Sequence, residues 1–255
     1  MTDRQPNSLT TNHPAGCDAP QLSVVIPAYN EEGRLAQTVE RILAYLDGQA
    51  WRFEILAVDD GSTDRTSDLV KQLATRDARV RLIGEPHRGK GAAVRSGALA
   101  AEGQIVVFCD ADLSHPVEDL TRLPGLLDGA QVAIASREGA GSRRIGEPFH
   151  RHLMGRVFNF IVRTLAVPGV QDTQCGLKCF TRAAARDLFP RQTIDGFGFD
   201  VELLFLARKY GYRVLEIPIT WRHVPASRVD PLRDTARMLT DVLRVRWNDW
   251  RGRYD

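Results

Sequence analysis

The chain has 255 residues, of which 43% are hydrophobic and 26% are charged, and this average composition excludes a disordered or a fibrous protein. Its 34 basic and 32 acidic residues nearly balance, so the bulk charge gives no sign of nucleic-acid binding. No stretch approaches the roughly 18 apolar residues of a membrane-spanning helix, and residues 1–20 lack the apolar core of a signal peptide. We therefore expect a polar, disordered N-terminal arm at 1–20 and a cytoplasmic protein with reduced cysteines.

The first half of the chain alternates short apolar strands with helices. The run LSVVIP at 22–27 is β-branched and ends at a proline, which is typical of a buried strand. Apolar residues at helical spacing follow it over 32–46. Repetition of this unit predicts an α/β fold with a mostly parallel, doubly wound sheet. Further strands are predicted at 53–60, 80–84, 104–110 and 131–137, and further helices at 64–74, 92–101 and 117–127.

The second half is less regular, but it contains no internal repeat and no linker. A glycine-rich, basic stretch at 139–144 is predicted to be a flexible loop. The simplest organisation is one domain at 21–225 followed by a C-terminal amphipathic helical appendage at 226–255. Strands are predicted at 175–180 and 212–219, and helices at 150–167, 199–210 and 232–250.

Polar motifs follow four of the predicted strands, namely PAYNEE, DDGSTD, HRGKG and DADLSHP. Ligands of open parallel sheets bind at the carboxyl ends of the strands, so these motifs predict one common site. Asp110 and Asp112 form its centre, because two carboxylates one residue apart repel each other unless a cation lies between them. Such oxygen ligands suit Mg²⁺ or Mn²⁺ together with substrate phosphates. A capped turn is the alternative interpretation of this DAD motif.

The loop from His87 to Gly91 precedes a predicted helix, so its amides are candidates for binding an anion. A solvated turn is the alternative interpretation. The loop is not a Walker A motif, which needs a different glycine spacing before GK[ST]. No GxGxxG fingerprint follows the first strand, and this argues against a dehydrogenase.

Six motifs in order carry a resemblance to a known family. PAYNEE, VDDGSTDRT, RGKGAAVRSG, DADLSHP, DTQCGLKCFTR and GFDVELL resemble the family 2 glycosyltransferases of the GT-A fold. More narrowly, they are similar to dolichyl-phosphate β-glucosyltransferases and dolichol-phosphate mannose synthases, and IPITWRHVPASRV favours the glucosyl branch. The resemblance spans residues 22–223. It implies an inverting, metal-dependent transfer of a hexose from a nucleotide sugar, with UDP-glucose favoured, to a polyprenyl or dolichyl monophosphate.

The resemblance also implies a donor site. Pro27, Tyr29 and Glu31 would line the nucleotide pocket, with Tyr29 against the base. Asp60 would accept a hydrogen bond from the uracil N–H. Lys90 would lie near the ribose or the phosphates of the donor.

The implied metal site holds Mg²⁺ or Mn²⁺ on the donor diphosphate through Asp110 and Asp112. Ser114 stands where the mannose synthases carry a glutamine ligand, so the third protein ligand stays open and water is an alternative. Asp200, and Glu202 two residues on, match an acidic pair that faces the sugar, although a helix-surface position is the alternative for Glu202.

Four arginines are predicted to bind the acceptor phosphate. Arg137 and Arg151 match the acceptor-phosphate arginines of the resembled family, and Arg143 and Arg144 are candidates to assist them. A lipid monophosphate is largely dianionic at neutral pH, with a second pKa of about 6. It therefore needs cations that steer it rather than a general base, and the planar fork of arginine suits this task. Surface charge is the alternative for Arg143 and Arg144.

The C-terminal helix is predicted to lie on a membrane surface. Leu232, Ala236, Leu239, Leu243, Trp247 and Trp250 fall on one stripe, and Arg233, Arg237, Arg244 and Arg251 fall on another. Cationic helices with interfacial tryptophan lie flat on anionic membranes, which predicts a peripheral protein on the cytoplasmic face. Packing of the helix against the domain is the alternative.

Three other functions remain open at this point. GDP-mannose is the alternative donor for a polyprenyl-phosphate mannosyltransferase. A family 2 enzyme that acts on a sugar hydroxyl would need a carboxylate base, which Asp200 provides. A membrane-bound nucleotide sensor without activity is the third alternative, and the intact DAD motif argues against it.

Overall fold

A computed structural model describes residues 19–224 and 231–255 of the chain. Nine strands form within these ranges, and every strand predicted from the sequence is confirmed to within three residues. The strands are β1 (Leu22–Ala28), β2 (Phe53–Asp60), β3 (Val80–Glu85), β4 (Ile105–Cys109), β5 (Val132–Ser136), β6 (Arg143–Ile145), β7 (Leu177–Thr181), β8 (Val214–Pro218) and β9 (Thr220–Arg222).

The helices connect these strands across the two faces of the sheet. They are α1 (Leu35–Asp47), α2 (Thr66–Arg76), α3 (Lys90–Ala100), α4 (Asp119–Gly125), α5 (Phe149–Leu165), α6 (Arg182–Leu188), α7 (Phe199–Lys209) and α8 (Pro231–Trp250), with a short 3₁₀ turn at Phe189–Arg191. The predicted arm at 1–20 lies outside the described residues except for 19 and 20.

Seven strands form one sheet in the order β3-β2-β1-β4-β7-β5-β8. Neighbouring strands run parallel except around β7, which is antiparallel to both β4 and β5. The predicted mostly parallel α/β sheet is therefore confirmed. The right-handed β–α–β connections bring the carboxyl ends of β1, β2 and β4 to one edge of the sheet.

The core lies on both faces of this sheet. Every residue of β2 is buried, and its alternate residues divide between two hydrophobic clusters. Leu56 and Val58 belong to one cluster, whereas Ile55 and Ala57 belong to the other. This alternation follows from the two-residue period of a strand, and burial on both faces explains why its sequence reads as one apolar run.

The prediction of a flexible loop at 139–144 is wrong for residues 143 and 144. Arg143 begins β6, which pairs in parallel with β9, so Arg143 lies opposite Thr220 and Ile145 lies opposite Arg222. Three-residue strands leave too little periodicity in a sequence to be recognised.

Helix α6 was not predicted either. It begins at a capped residue, because the Thr181 side chain accepts a hydrogen bond from the Ala184 amide.

Helix α8 packs against α5 and α7. Val242, Val245 and, beyond the helix, Tyr254 are fully buried members of one hydrophobic cluster that also contains residues of the sheet. The opposite face of α8 exposes Leu243 and Trp247. Within the described residues no helix combines the length and the apolar character that crossing a membrane requires.

Candidate active site

A cavity of about 1180 Å³ opens at the edge of the sheet where the carboxyl ends of β1, β2 and β4 meet the start of α3. It brings together almost all residues that the sequence nominates for donor, metal and acceptor. Those lining it are Pro27, Tyr29, Glu31, Asp60, Lys90, Asp110, Asp112, Ser114, Arg137, Arg144 and Asp200.

Asp110 follows β4 directly and forms an ion pair with Lys90, whose Nζ lies 2.5 Å from Asp110 Oδ1. Burial lowers the pKa of Lys90, but the nearby Asp110 and Asp200 carboxylates outweigh burial and raise it overall. Lys90 therefore stays charged at neutral pH. Asp110 Oδ1 is itself buried and has no hydrogen bond of good geometry, so it retains acceptor capacity.

The backbone of Gly176, just before β7, lies against the Asp110 carboxylate. Its carbonyl accepts a hydrogen bond from the Asp110 amide at 3.2 Å. A Cβ at residue 176 would lie 2.5 Å from Asp110 Cγ, well inside ordinary contact distance. Only glycine leaves room for the carboxylate at this position.

Asp112 and Ser114 form a tight turn after β4. Asp112 Oδ1 accepts a hydrogen bond from the Ser114 amide at 3.1 Å. Leu113 between them has a φ of 42°, in the left-handed region that branched and bulky residues rarely adopt. Strain of this kind concentrates at functional sites.

The two carboxylates fit a divalent cation in one particular way. No cluster of three or more His, Cys, Asp or Glu with metal-site geometry occurs among the residues that the structure describes. Mg²⁺ commonly binds one or two carboxylates, with substrate phosphates and water completing its shell, and the Asp110 and Asp112 carboxylates that line the cavity suit this arrangement.

Asp60 organises the loop before α3. Its carboxylate accepts hydrogen bonds from the Arg88 amide at 2.9 Å, the Gly89 amide at 2.9 Å and His87 Nδ1 at 2.8 Å. These three donors fill most of the roughly four acceptor sites of a carboxylate. About one acceptor site is therefore left for a nucleobase N–H. The His87 ring stacks on Tyr29 with 4.0 Å between centroids, so these two rings form one wall of the cavity.

Pro27 and Glu31 lie on either side of the end of β1. Pro27 is buried within the strand and pairs in register with Val58. The Glu31 amide donates to Thr66 Oγ1 at 2.7 Å, and its carboxylate forms an ion pair with Arg34. The PAYNEE segment is thereby fastened to the start of α2.

Arg137 follows β5 and is held by Asp172. Asp172 accepts from Arg137 Nε at 2.7 Å and from Nη2 at 2.8 Å, and it also accepts from the Arg137 amide at 2.8 Å. Burial would raise the pKa of Asp172, but the guanidinium outweighs burial and lowers that pKa to about 2. Nη1 keeps its donors for a ligand, since no described residue accepts from it, and the guanidinium lies 5.6 Å from the Trp221 ring.

The other three predicted acceptor arginines differ in placement. Arg144 lines the cavity and is paired with Glu138 and Glu147, each at 2.7 Å. Arg143 is exposed and does not line the cavity, because successive residues of β6 face opposite sides, so the structure gives its predicted role no support. Arg151 belongs to α5, but its side chain lies outside the described part of the chain.

Asp200 lies in the first turn of α7 and is buried. Its Oδ1 lies 2.6 Å from the Nζ of Lys178, a lysine without solvent exposure. Burial raises the pKa of Asp200, and the charges of Lys178 and Lys90 oppose this rise. Lys178 also donates to the Cys175 carbonyl at 2.8 Å. Asp200 therefore lines the cavity as one member of a buried ion pair.

The prediction that Glu202 faces the sugar is wrong, and so is the alternative that it lies on a helix surface. Glu202 has no solvent exposure and does not line the cavity. Its carboxylate accepts a hydrogen bond from the Tyr254 hydroxyl at 2.6 Å. Glu202 lies two residues after Asp200, and α-helical geometry separates such positions by about 200° around the axis.

Sequence reasoning missed several side chains that hold the site. Asp172 and Lys178 lie in the DTQCGLKCFTR motif, but no role was predicted for either residue. The structure buries both charged side chains completely. Their proximity to the apolar strand β7 was the available signal. Trp221 and His87 carried no signal of their own, since their partners are distant in sequence.

The chain matches known proteins over most of its length. Residues 23–189 match the family model described as glycosyl transferase family 2. The dolichyl-phosphate β-glucosyltransferase of Homo sapiens is 34% identical over 251 residues, which cover 91% of this chain and 78% of the human protein. The Dictyostelium discoideum protein of the same name is 32% identical, with 89% of this chain and 74% of that protein covered.

Solved structures support the fold. The glucosyl-3-phosphoglycerate synthase of Mycobacterium tuberculosis, crystallised with Mn²⁺, UDP and phosphoglyceric acid, superposes with a TM-score of 0.67. The match covers 89% of this chain and 78% of that one at 22% identity. At this identity the likeness establishes the GT-A fold alone. Together with the family model and the relatives above 30% identity, it leads to one conclusion: the chain belongs to glycosyl transferase family 2 and is a GT-A glycosyltransferase.

Proposed function

We propose that this enzyme transfers a glucosyl group, with inversion, from UDP-glucose to a polyprenyl or dolichyl monophosphate. One observation carries the proposal: a single cavity joins the Asp110–Asp112 carboxylate pair to the partly buried Arg137 guanidinium. The first group suits a donor diphosphate, and the second suits an acceptor phosphate. The dolichyl-phosphate β-glucosyltransferases that resemble the chain support this choice of substrates.

On the donor side, Asp110 and Asp112 would hold Mg²⁺ or Mn²⁺, which would stabilise the negative charge that develops on the leaving diphosphate. M. tuberculosis glucosyl-3-phosphoglycerate synthase has been crystallised with either ion and UDP. Lys90 remains protonated and adds positive charge beside the same phosphates. Tyr29 and His87 offer a stacking surface for the base, and the remaining acceptor site of Asp60 faces its N–H.

On the acceptor side, the phosphate supplies its own nucleophilic oxygen, so no general base is required. Arg137 Nη1 donates to this phosphate, while Asp172 fixes the other two guanidinium nitrogens and therefore the direction of Nη1. Holding nucleophile and donor in line supplies much of the rate enhancement of such a transfer. Arg144 and Arg151 complete the proposed acceptor site.

The lipid acceptor requires contact with a membrane surface, and α5 and α8 offer one. These two helices pack together, and each exposes large apolar side chains. Phe160 is 66% exposed, Leu243 is 60% exposed and Trp250 is 75% exposed. Arg251 lies over the Trp247 ring at 4.9 Å, which places a cation beside the exposed apolar face. We infer that this α5–α8 face, comprising Phe160, Leu243, Trp247 and Trp250, lies on the lipid surface.

The cysteines bear on the cellular location. Cys109, Cys175 and Cys179 are buried and unpaired, as is typical of proteins kept in a reducing compartment. We infer a peripheral position on the cytoplasmic face of the membrane. We also propose that residues 21–225 form the transferase domain and that α8 joins its core from the C-terminal side.

The experiment that tests the substrates is a transfer assay. The protein is incubated with Mn²⁺, a polyprenyl phosphate and either labelled UDP-glucose or labelled GDP-mannose. We expect glucose to appear in an acid-labile lipid product, with UDP-glucose used in preference. Transfer of mannose alone would overturn the assignment of UDP-glucose as the donor. Label on a sugar hydroxyl without a lipid product would overturn the assignment of a polyprenyl phosphate as the acceptor.

The membrane surface is tested by the double variant Phe160→Ser/Trp247→Ser in flotation with anionic liposomes. Both side chains are mostly exposed, so their replacement leaves the core intact. We expect weaker liposome binding at an unchanged melting temperature. Leu126→Ser is the matched control, because Leu126 is 46% exposed in α4's C-cap, away from α5 and α8. Equal binding of all three proteins would overturn the assignment.

A further inference from the structure

The chain beyond α8 is anchored in the interior of the domain. Tyr254 has no solvent exposure, and its hydroxyl donates to Glu202 Oε1 at 2.6 Å. Asn248 in the last turns of α8 is also buried and donates to Thr193 Oγ1 at 3.0 Å. The end of α8 is therefore connected by hydrogen bonds to residues 193 and 202.

Glu202 passes this connection to the segment before α7. Its carboxylate accepts from the Thr193 amide at 3.0 Å, from Thr193 Oγ1 at 2.7 Å and from the Ile194 amide at 2.9 Å. With the Tyr254 hydroxyl, these donors satisfy a carboxylate that is completely removed from water. The segment Gln192–Asp195, which we name the brace, is thus fixed from behind.

The brace in turn binds the beginning of α3, whose first residue is Lys90. The Ala92 amide donates to the Asp195 carbonyl at 3.1 Å, and Gln192 Nε2 donates to the Gly91 carbonyl at 2.9 Å. Arg95 on α3 adds two contacts at 2.8 Å, one to the Gln192 carbonyl and one to the Asp195 carboxylate.

The packing of the brace on the start of α3 is close on both sides of Lys90. A Cβ on Gly89 would lie 2.6 Å from the Asp195 carbonyl oxygen, and a Cβ on Gly91 would lie 2.7 Å from the Ile194 carbonyl oxygen. Backbone contacts of this kind leave the start of α3 little room to move. The position of Lys90 is therefore set by the brace.

We propose that Tyr254 and Glu202 are positioning residues for donor binding: they fix the brace, and the brace fixes Lys90 beside Asp110. This inference rests on the proposed function, which places the donor phosphates at Lys90. It implies that the C-terminal end of α8 helps to position the donor site. The C-terminal end of the chain is thereby connected to the proposed nucleotide pocket through Glu202 and the brace.

The test is the variant Tyr254→Phe, which keeps the buried ring and removes only the hydroxyl. UDP affinity is measured by calorimetry in the presence of Mn²⁺, and the KM values of donor and acceptor are measured separately. Because the loss of a residue that orients a metal ligand costs on the order of 10- to 100-fold in affinity or activity, we expect UDP affinity to fall by about 10-fold here. The donor KM should rise in parallel, and the acceptor KM should stay unchanged.

Tyr212→Phe is the matched control. It also loses a single hydroxyl-to-carboxylate hydrogen bond, from Tyr212 to Asp187 at 3.0 Å, outside the cavity. We expect it to lower the melting temperature without changing UDP affinity. Asn248→Ala removes the second link to the brace and serves as the test if Tyr254→Phe folds poorly, with a smaller loss of UDP affinity expected.

The outcomes separate the two levels of the argument. Wild-type protein that binds no UDP would overturn the proposed function, and this inference with it. Wild-type protein that binds UDP, beside a Tyr254→Phe variant of equal affinity, would overturn the inference alone. A donor-specific loss in Tyr254→Phe that Tyr212→Phe does not share would support it.

Discussion

Gly176→Ala should separate folding from activity, because the new methyl group meets only the end of one side chain. A Cβ at residue 176 would lie 2.5 Å from Asp110 Cγ, and no other residue is among its three nearest neighbours. Carbon atoms in contact lie about 3.5–4.0 Å apart, so the carboxylate has to move by about 1 Å. A rotation about the Asp110 side chain achieves this without moving β4.

The expected loss follows from this displacement. Errors of about 1 Å in the position of a group at a reacting centre cost on the order of 100-fold in rate. We expect Gly176→Ala to lower turnover by about 100-fold and to weaken Mn²⁺-dependent UDP binding. The melting temperature should change little, since the side chain that moves is partly exposed.

The assay compares glucosyl transfer, UDP binding and thermal unfolding of Gly176→Ala with those of Gly125→Ala. A Cβ at residue 125, in α4, meets nothing within 4 Å, so this control should keep full activity. Wild-type turnover in Gly176→Ala would refute the reasoning, because it would show that Asp110 need not occupy its present position. Global unfolding of the variant would refute the claim that only the side chain moves.

Three further outcomes are expected. Asp112→Asn should lower turnover by at least about 100-fold, the scale of losing one electrostatic stabiliser, and excess EDTA should abolish transfer; full activity in EDTA would contradict the metal assignment. Arg137→Lys keeps a charge but loses the planar fork, so the acceptor KM should rise by about 10-fold or more while UDP affinity stays constant. Asp172 has a lowered pKa of about 2, so its stabilising contribution is complete above about pH 4 and is lost as the pH falls towards 2. Urea unfolding of the wild type should show that loss, of about 2–3 kcal/mol, and a flat profile from pH 4 to 2 would contradict it.

The sequence was sufficient for the sheet and for the cluster of polar residues at the carboxyl ends of its strands. Strands β1, β2 and β4 are buried on both faces, so their apolar runs are visible without knowledge of the fold. The polar residues after these strands converge because parallel strands place their carboxyl ends at one edge. Asp110 and Asp112 are therefore predictable from their position, whereas Lys90 was assigned from the family resemblance.

Side-chain partners that are distant in sequence were not predictable. Arg137 was expected at the acceptor phosphate, but its pairing with Asp172 depends on how β5 and the segment before β7 meet. Glu202 was assigned to the sugar because it matches an acidic pair of the resembled family, whereas helical geometry turns it towards Tyr254. The predicted helix at 199–210 already separates residues two apart by about 200°, but the partner of Glu202 is distant in sequence and was not predictable.

The antiparallel strand β7 also has a consequence for the order in which the protein can fold. Strand β5 joins the sheet only through β7, since its other neighbour, β8, pairs with no further strand. On the ribosome, β5 is complete at residue 136, and residues 137–176 must still be synthesised before β7 begins. At roughly 5–20 residues per second this takes a few seconds, during which the apolar VAIAS segment lacks both partners. Nascent chains stalled before residue 177 should therefore depend on chaperones, whereas chains stalled beyond β8 can close the sheet.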